Sequence, residues 1–212
     1  MPGFCWDAEA ERKQGTGCSS LGLVEFKAVY VLGRSNVGKS ALIRALTGKR
    51  IPSGRRPGIT KRPSSVENGI VRYVDMPGFG FMSGVPEGLS EEAKNHIIRD
   101  LEQNKSGIDL ALLVLDAKAF VEICSRWEAR DEIPIDVEFH DLLSELGIPM
   151  LVVANRMDKV RDPDDTLDAI GERLGYLPPW RQWRDVIVPV SAKTGAGISD
   201  LRYAISRRLG LL

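Results

Sequence analysis

The chain has 212 residues, with 29 basic and 29 acidic side chains and a formal net charge of zero. That length can bury a substantial single core, and 43% hydrophobic with 27% charged residues is ordinary for a soluble globular protein. Zero net charge gives no bulk attraction for nucleic acid or membrane, so any basic site must be a local patch. Three cysteines, Cys5, Cys18 and Cys124, with no C-x-x-C spacing argue against a disulfide framework or a zinc site. No apolar run is long enough to span a bilayer, the N-terminus lacks the order of a signal peptide, and the terminal LGLL carries no prenylation cysteine. These features predict a cytoplasmic protein without a membrane partner, and a monomer.

Residues 1–22 are polar, glycine-rich and aperiodic, which predicts a flexible tail before one domain over 23–212. Val24–Leu32, β-branched and aromatic, reads as a buried strand. The segment SALIRALTG repeats apolar residues at Leu42, Ile43 and Leu46 and stops at Gly48, a helix with a glycine terminator. Lys49 to Pro63 is basic, punctuated by glycine and proline, and reads as a loop. Further strands are predicted at Ile70–Asp75, Asp109–Asp116, Pro149–Asn155 and Asp185–Val190. Helical patterns alternate with them: one after a Ser90 cap, one after an Asp136 cap and ended by Gly147, then PDDTLDAIGERLG and ISDLRYAISRRL. Strands alternating with helices predict an α/β fold, a mainly parallel central sheet covered on both faces.

Between the first strand and the first helix lies GRSNVGKS, Gly33 to Ser40, which fits G-x-x-x-x-G-K-[ST]. Average usage puts such a match in about one chain in a hundred of this length, and the strand–loop–helix setting is the one the chemistry requires. Backbone N–H groups of Gly33, Arg34, Ser35, Asn36, Val37 and Gly38 would wrap the β-phosphate, with the helix N-terminus, through Ala41, adding its positive dipole end. Lys39 would neutralise charge between the β- and γ-phosphates, and the Ser40 hydroxyl would ligate Mg²⁺.

Base choice is predicted from NRMD, Asn155 to Asp158, directly after a buried strand. The Asp158 carboxylate can accept from guanine N1–H and the exocyclic amine, which adenine does not offer. Arg156 and Lys159 flank it. Ser191, Ala192 and Lys193 follow the last strand, where backbone N–H groups could meet the guanine carbonyl. DMPG ends another strand: Asp75 would hold Mg²⁺ through water and the Gly78 N–H would sense the γ-phosphate. Thr60, with Gly58 in the same basic loop, is the second predicted Mg²⁺ hydroxyl. The octet, NRMD, SAK and DMPG all stand at the carboxyl ends of predicted strands, where open α/β sheets bind ligands.

Together GRSNVGKS, RPGIT, VDMPGFGF, NRMD and SAK resemble the EngB (YihA) family of GTP-binding proteins, over about Phe26 to Leu209. The aromatic–glycine run after DMPG is the most specific part of the likeness, and Ser125–Phe139 resembles the longer archaeal branch. The resemblance implies a Ras-like P-loop G domain, GTP and GDP as ligands, GTP hydrolysis, and a role in assembly of the large ribosomal subunit and contact with its precursor rRNA. The family's Asn-Lys-x-Asp has Arg156 in place of lysine, a planar cation that can also lie over a base. Where Ras-like enzymes carry a water-orienting glutamine, this chain has Phe79, which implies slow intrinsic turnover. Lys39, Thr60, Gly78 and Asn36 are the residues expected at the reacting phosphate. Two readings of Asn36 stand: it coordinates K⁺, as in related potassium-activated GTPases, or it braces the loop through its backbone.

The basic loop 49–62 reads either as a solvated switch segment or as an RNA-phosphate patch. PPWRQWR, Pro178 to Arg184, could stack on bases, but packing of Trp180 and Trp183 under the last strand is the preferred reading. His96 and His140 lack partners at useful spacing and are read as surface residues. An alternative function is a GTP-dependent regulatory switch acting on protein effectors without ribosome contact.

Overall fold

The computed structural model describes residues 26–50, 63–79 and 87–212. The tail expected over 1–22 and most of the basic loop lie outside the described residues, as do Gly58 and Thr60. Among the described residues six strands form one sheet: β1 (Lys27–Leu32), β2 (Ser64–Asn68), β3 (Val71–Asp75), β4 (Leu110–Asp116), β5 (Met150–Asn155) and β6 (Ile187–Pro189). The order is β2-β3-β1-β4-β5-β6, parallel throughout except for the antiparallel β2–β3 pair. The helices are α1 (Lys39–Thr47), α2 (Glu87–Asn104), α3 (Ala117–Glu128), α4 (Ile135–Glu145), α5 (Pro163–Arg173) and α6 (Ile198–Arg208). The alternation of strands and helices is the predicted α/β arrangement.

A strand that is covered on both faces is apolar along its covered length, and β4 meets that demand from Leu110 to Leu115. Its Leu110, Leu112 and Val114 face one hydrophobic layer, with Leu42, Ile43 and Leu46 of α1 and Leu201 and Ile205 of α6. Its Ala111, Leu113 and Leu115 face the other, with Ile97, Phe120, Phe139 and Ile170 from α2, α3, α4 and α5. Among the described residues, two α-helices therefore lie on one face and four on the other.

Several predicted details change. Ser90 lies inside α2, which begins at Glu87, so it is not the cap. Asp136 does not cap α4 either. Pro134 takes the N-cap position, and Asp136 enters the first turn with 1% exposure. Two elements were not anticipated. Strand β2 is polar and lies at the sheet edge, so it carries no hydrophobic alternation. Its signal is the Asn68-Gly69 pair that turns the chain into β3. Helix α3 follows β4 with no intervening loop, and the Asp116 carboxylate accepts from the Ala119 N–H at 3.2 Å to close its first turn. Trp180 is buried in the core beside Ile187, and Trp183 packs on Tyr176, so both follow the packing alternative. His140 is also interior: its ring nitrogens face Asp141 Oδ1 at 3.0 Å and the Tyr176 hydroxyl at 2.9 Å, whereas His96 is exposed.

The two sheet edges differ from the centre. At one end, β2 carries Glu67, paired with Arg72 at 2.9 Å. At the other, β6 is three residues long and ends at Pro189. Truncating the centre of this sheet should be costly: Leu113→Ala is expected to lose about 2–5 kcal/mol of stability, measured by denaturant unfolding.

Candidate nucleotide site

Strand register brings the carboxyl ends of β1, β3, β4 and β5 to one rim. Val31 pairs with Asp75 across β1–β3, and Asp116 with Asn155 across β4–β5. The octet leaves β1 on this rim and turns into α1. A Cβ at Gly33 would stand 2.4 Å from the Val114 carbonyl oxygen, so only glycine lets the loop leave the strand this close to β4. Lys39 is nearly buried, and its ammonium donates to the carbonyls of Gly33 at 2.8 Å and Arg34 at 3.0 Å, bending over the loop. The Ser40 hydroxyl donates to Asp75 Oδ2 at 2.7 Å. A hydroxyl and a carboxylate are hard oxygen donors, the kind of set that suits Mg²⁺ when phosphates and water complete the shell.

Asn155 links this loop to the opposite side of the rim. It is 2% exposed; its amide donates to the Val37 carbonyl at 2.9 Å, and its carbonyl accepts from the Ala192 N–H at 3.0 Å. Ser191, also buried, donates to Asp158 Oδ1 at 2.6 Å. That hydrogen bond, with smaller help from Lys193 and Lys159, holds the exposed Asp158 carboxyl below its usual range. Asp158 therefore presents an ionised acceptor at the rim, beside the exposed Lys159 and Lys193. Arg156 adopts the left-handed backbone region (φ 65). Its guanidinium donates to Asp116 Oδ2 and to the carbonyl of Asn36, fastening the octet to the end of β4. Asn36 is itself left-handed (φ 67), and its exposed side chain makes no hydrogen bond among the described residues.

The structure thus gathers Gly33 to Ala41, Asp75, Gly78, Asn155, Arg156, Asp158 and Ser191 to Lys193 along one rim. Sequence reasoning missed a second group beneath it. Arg34 faces Asp136 at 3.6 Å, and neither carboxylate oxygen has a hydrogen-bond partner among the described residues. Phe79 is 1% exposed and stacked on Phe139, with ring centroids 4.0 Å apart and planes 8° from parallel. Asp116 was read only as a strand end. A signal for Asp136 did exist: an acid placed between two apolar residues, Ile135 and Val137, in IPIDVEF.

A family model described as 50S ribosome-binding GTPase matches residues 28–156. A probable GTP-binding protein EngB from Methanopyrus kandleri is 48% identical over 186 residues, 85% of this chain and 91% of the relative. The chain belongs to the EngB family of GTP-binding proteins. A relative of the same description from Methanosarcina barkeri is 46% identical over 188 residues, covering 88% of this chain and 89% of its own. A crystal structure of a probable GTP-binding protein engB superposes with a TM-score of 0.80 at 42% identity, over 86% of this chain and 98% of that one. The Ras-like GTPase fold implied by the sequence resemblance is the fold of this EngB-family chain.

Burial pushes the Asp136 carboxyl up to about 6, against the pull of Arg34 and, more weakly, Lys39. Between the ordinary carboxylate value and about pH 6 the folded protein therefore holds a proton here that the unfolded chain has released. The contribution of Asp136 to stability falls as pH rises through that window. Relative to wild type, Asp136→Asn should gain stability from about pH 4 to pH 7, read from denaturant unfolding curves at the two pH values. Parallel curves at both would contradict it.

Proposed function

We propose that this EngB-family chain is a GTP-hydrolysing switch that acts, as a monomer, in assembly of the large ribosomal subunit. The observation that carries the nucleotide reading is the Asn155 bridge, which sets a phosphate loop and an ionised Asp158 on one rim at the carboxyl ends of the strands. In this reading the octet N–H groups hold the β-phosphate. Lys39 exchanges its two loop carbonyls for β- and γ-phosphate oxygens. Ser40 and Thr60, and Asp75 through water, would hold Mg²⁺, which would offset phosphate charge when bound. The Gly78 N–H meets the γ-phosphate. Asp158 accepts from the guanine N1–H and amine, the Ala192 and Lys193 backbone meets the guanine carbonyl, and Gly58 shapes the loop that carries Thr60.

Phe79 supports a slow intrinsic rate: its ring can neither donate nor accept, and it is spent in the stack on Phe139. Positioning of water and offset of γ-phosphate charge must then come from outside the domain. K⁺ at Asn36 is one source, and the Asn36 side chain is exposed and unengaged among the described residues. Precursor rRNA of the large subunit, contacting the basic loop, is the other. The ribosomal reading is supported by the family description, 50S ribosome-binding GTPase, and the EngB relatives support GTP binding. Among the described residues no helix is long and apolar enough to cross a membrane. We place the protein in the cytoplasm.

Asp158→Asn should exchange guanine for xanthine preference, because an amide presents a donor where the carboxylate accepted. Competition binding with GTP and XTP reads this, and full GTP affinity with no gain for XTP would remove the base assignment. Single-turnover GTP hydrolysis, in K⁺ against Na⁺ and with or without large-subunit precursor particles, tests the wider reading. Turnover should be slow alone and rise with particles, up to about 10⁵-fold if a full activating cation is supplied. Fast hydrolysis in Na⁺ without any partner would overturn it. Loss of the K⁺ effect in Asn36→Ala would assign the ion to that residue.

A further inference from the structure

The first turns of α4 touch three parts of the molecule: the phosphate loop, helix α2 and the segment after β3. Asp136 faces the Arg34 guanidinium at 3.6 Å. Glu138 pairs with Lys94 of α2 at 2.5 Å. Phe139 stacks on Phe79 at 4.0 Å between centroids. Asp136 and Phe139 are three apart and so share one helix face.

Their two partners are joined to each other by main chain. Arg34 and Phe79 form an isolated parallel bridge, and the Ser35 N–H donates to the Phe79 carbonyl at 3.1 Å. Gly78, immediately before Phe79, lies hard against the loop. A Cβ there would be 2.7 Å from Ser35 Oγ and 2.8 Å from Ser35 Cα. Gly78 cannot leave the phosphate loop without parting the bridge, and the two side chains that flank the bridge are both gripped by α4.

We propose that the first turns of α4 are a positioning element for the γ-phosphate contact, with Asp136 and Phe139 as positioning residues that hold Gly78 at the phosphate loop. The proposal rests on the guanine-nucleotide reading of the site and adds to it the origin of triphosphate preference. GTP and GDP differ only in the γ-phosphate, and a residue that holds the γ-phosphate donor in place acts on one ligand and leaves the other alone. A pre-positioned donor spares the triphosphate the cost of ordering it. A ligand shifts a conformational equilibrium only by its differential affinity for the two states. The grip therefore appears in the ratio of the two affinities. The Lys94–Glu138 pair ties the same turn to α2, so the position of α2 is coupled to the same contact.

The experiment titrates the full chain with GDP and with a non-hydrolysable GTP analogue. It compares wild type, Asp136→Asn, which keeps the shape and removes the charge, and Phe139→Leu, which keeps an apolar side chain and removes the stack. The two variants act on separate links, and unfolding curves identify those that retain the fold. The expected result is a loss of analogue affinity of about tenfold, within the usual range of coupling between sites, with GDP affinity unchanged. Equal loss of both nucleotides, or an unchanged ratio in a folded variant, overturns the assignment to α4 and leaves the nucleotide reading intact. A wild-type protein that binds neither nucleotide overturns both.

Discussion

One buried amide organises the rim. Asn155 ends β5, the strand next to central β4, and uses both halves of its side chain: a donor to the phosphate loop and an acceptor from the loop after β6. No other short side chain offers a donor and an acceptor of that reach in one rigid plane; aspartate would set a carboxylate against the Val37 carbonyl, and leucine would leave two backbone groups unpaired in the interior. At 2% exposure the two bonds are protected from competition with water. The loops that would hold the two ends of a nucleotide are thereby tied to one atom group on one strand. The distance between them follows from the strand spacing of the sheet, which is a rigid quantity.

Around that fixed frame, the side of the rim beside β3 is built differently. The contacts there are a long ion pair, a ring stack and a backbone bridge, and the ion pair has no hydrogen bonds to lock it. A buried carboxylate without hydrogen bonds is costly. Such an arrangement can be opened at less cost than one in which every polar group is satisfied. Under the proposed guanine-nucleotide reading, the Asn155 side suits invariant recognition of the base, and the Arg34–Phe79 side suits a response to the third phosphate.

Much of this was legible in the residue pattern. Strands β4 and β5, and β1 beyond Lys27, announce themselves as apolar runs because they are covered on both faces. The octet, DMPG, NRMD and SAK fall at strand ends, where their backbone can reach a ligand. What escaped were features set by partners distant in sequence. Asp136 looks like a cap when only its neighbours are considered, since short acids favour helix starts. Its actual role is decided by Arg34, about a hundred residues earlier. His140 looks solvent-facing until Tyr176 is brought beside it. Strand β2 has too little apolar content to register and exists because β3 offers it an edge. Gly58 and Thr60 lie outside the described residues, and the Mg²⁺ set of Ser40, Thr60 and Asp75 is a proposal.

The ends of the sheet bear on a different matter, the fate of the chain at high concentration. Open strand edges are templates on which a second molecule can pair and aggregation can begin. Here the edge strand β2 carries mostly polar side chains, with Glu67 paired to Arg72 of β3, so a docking strand would have to strip charge from water. The other is only three residues long and closes on Pro189, which has no N–H to offer a ladder. A sheet whose central strands are among the most apolar segments of the chain thus ends on both sides in strands that discourage extension.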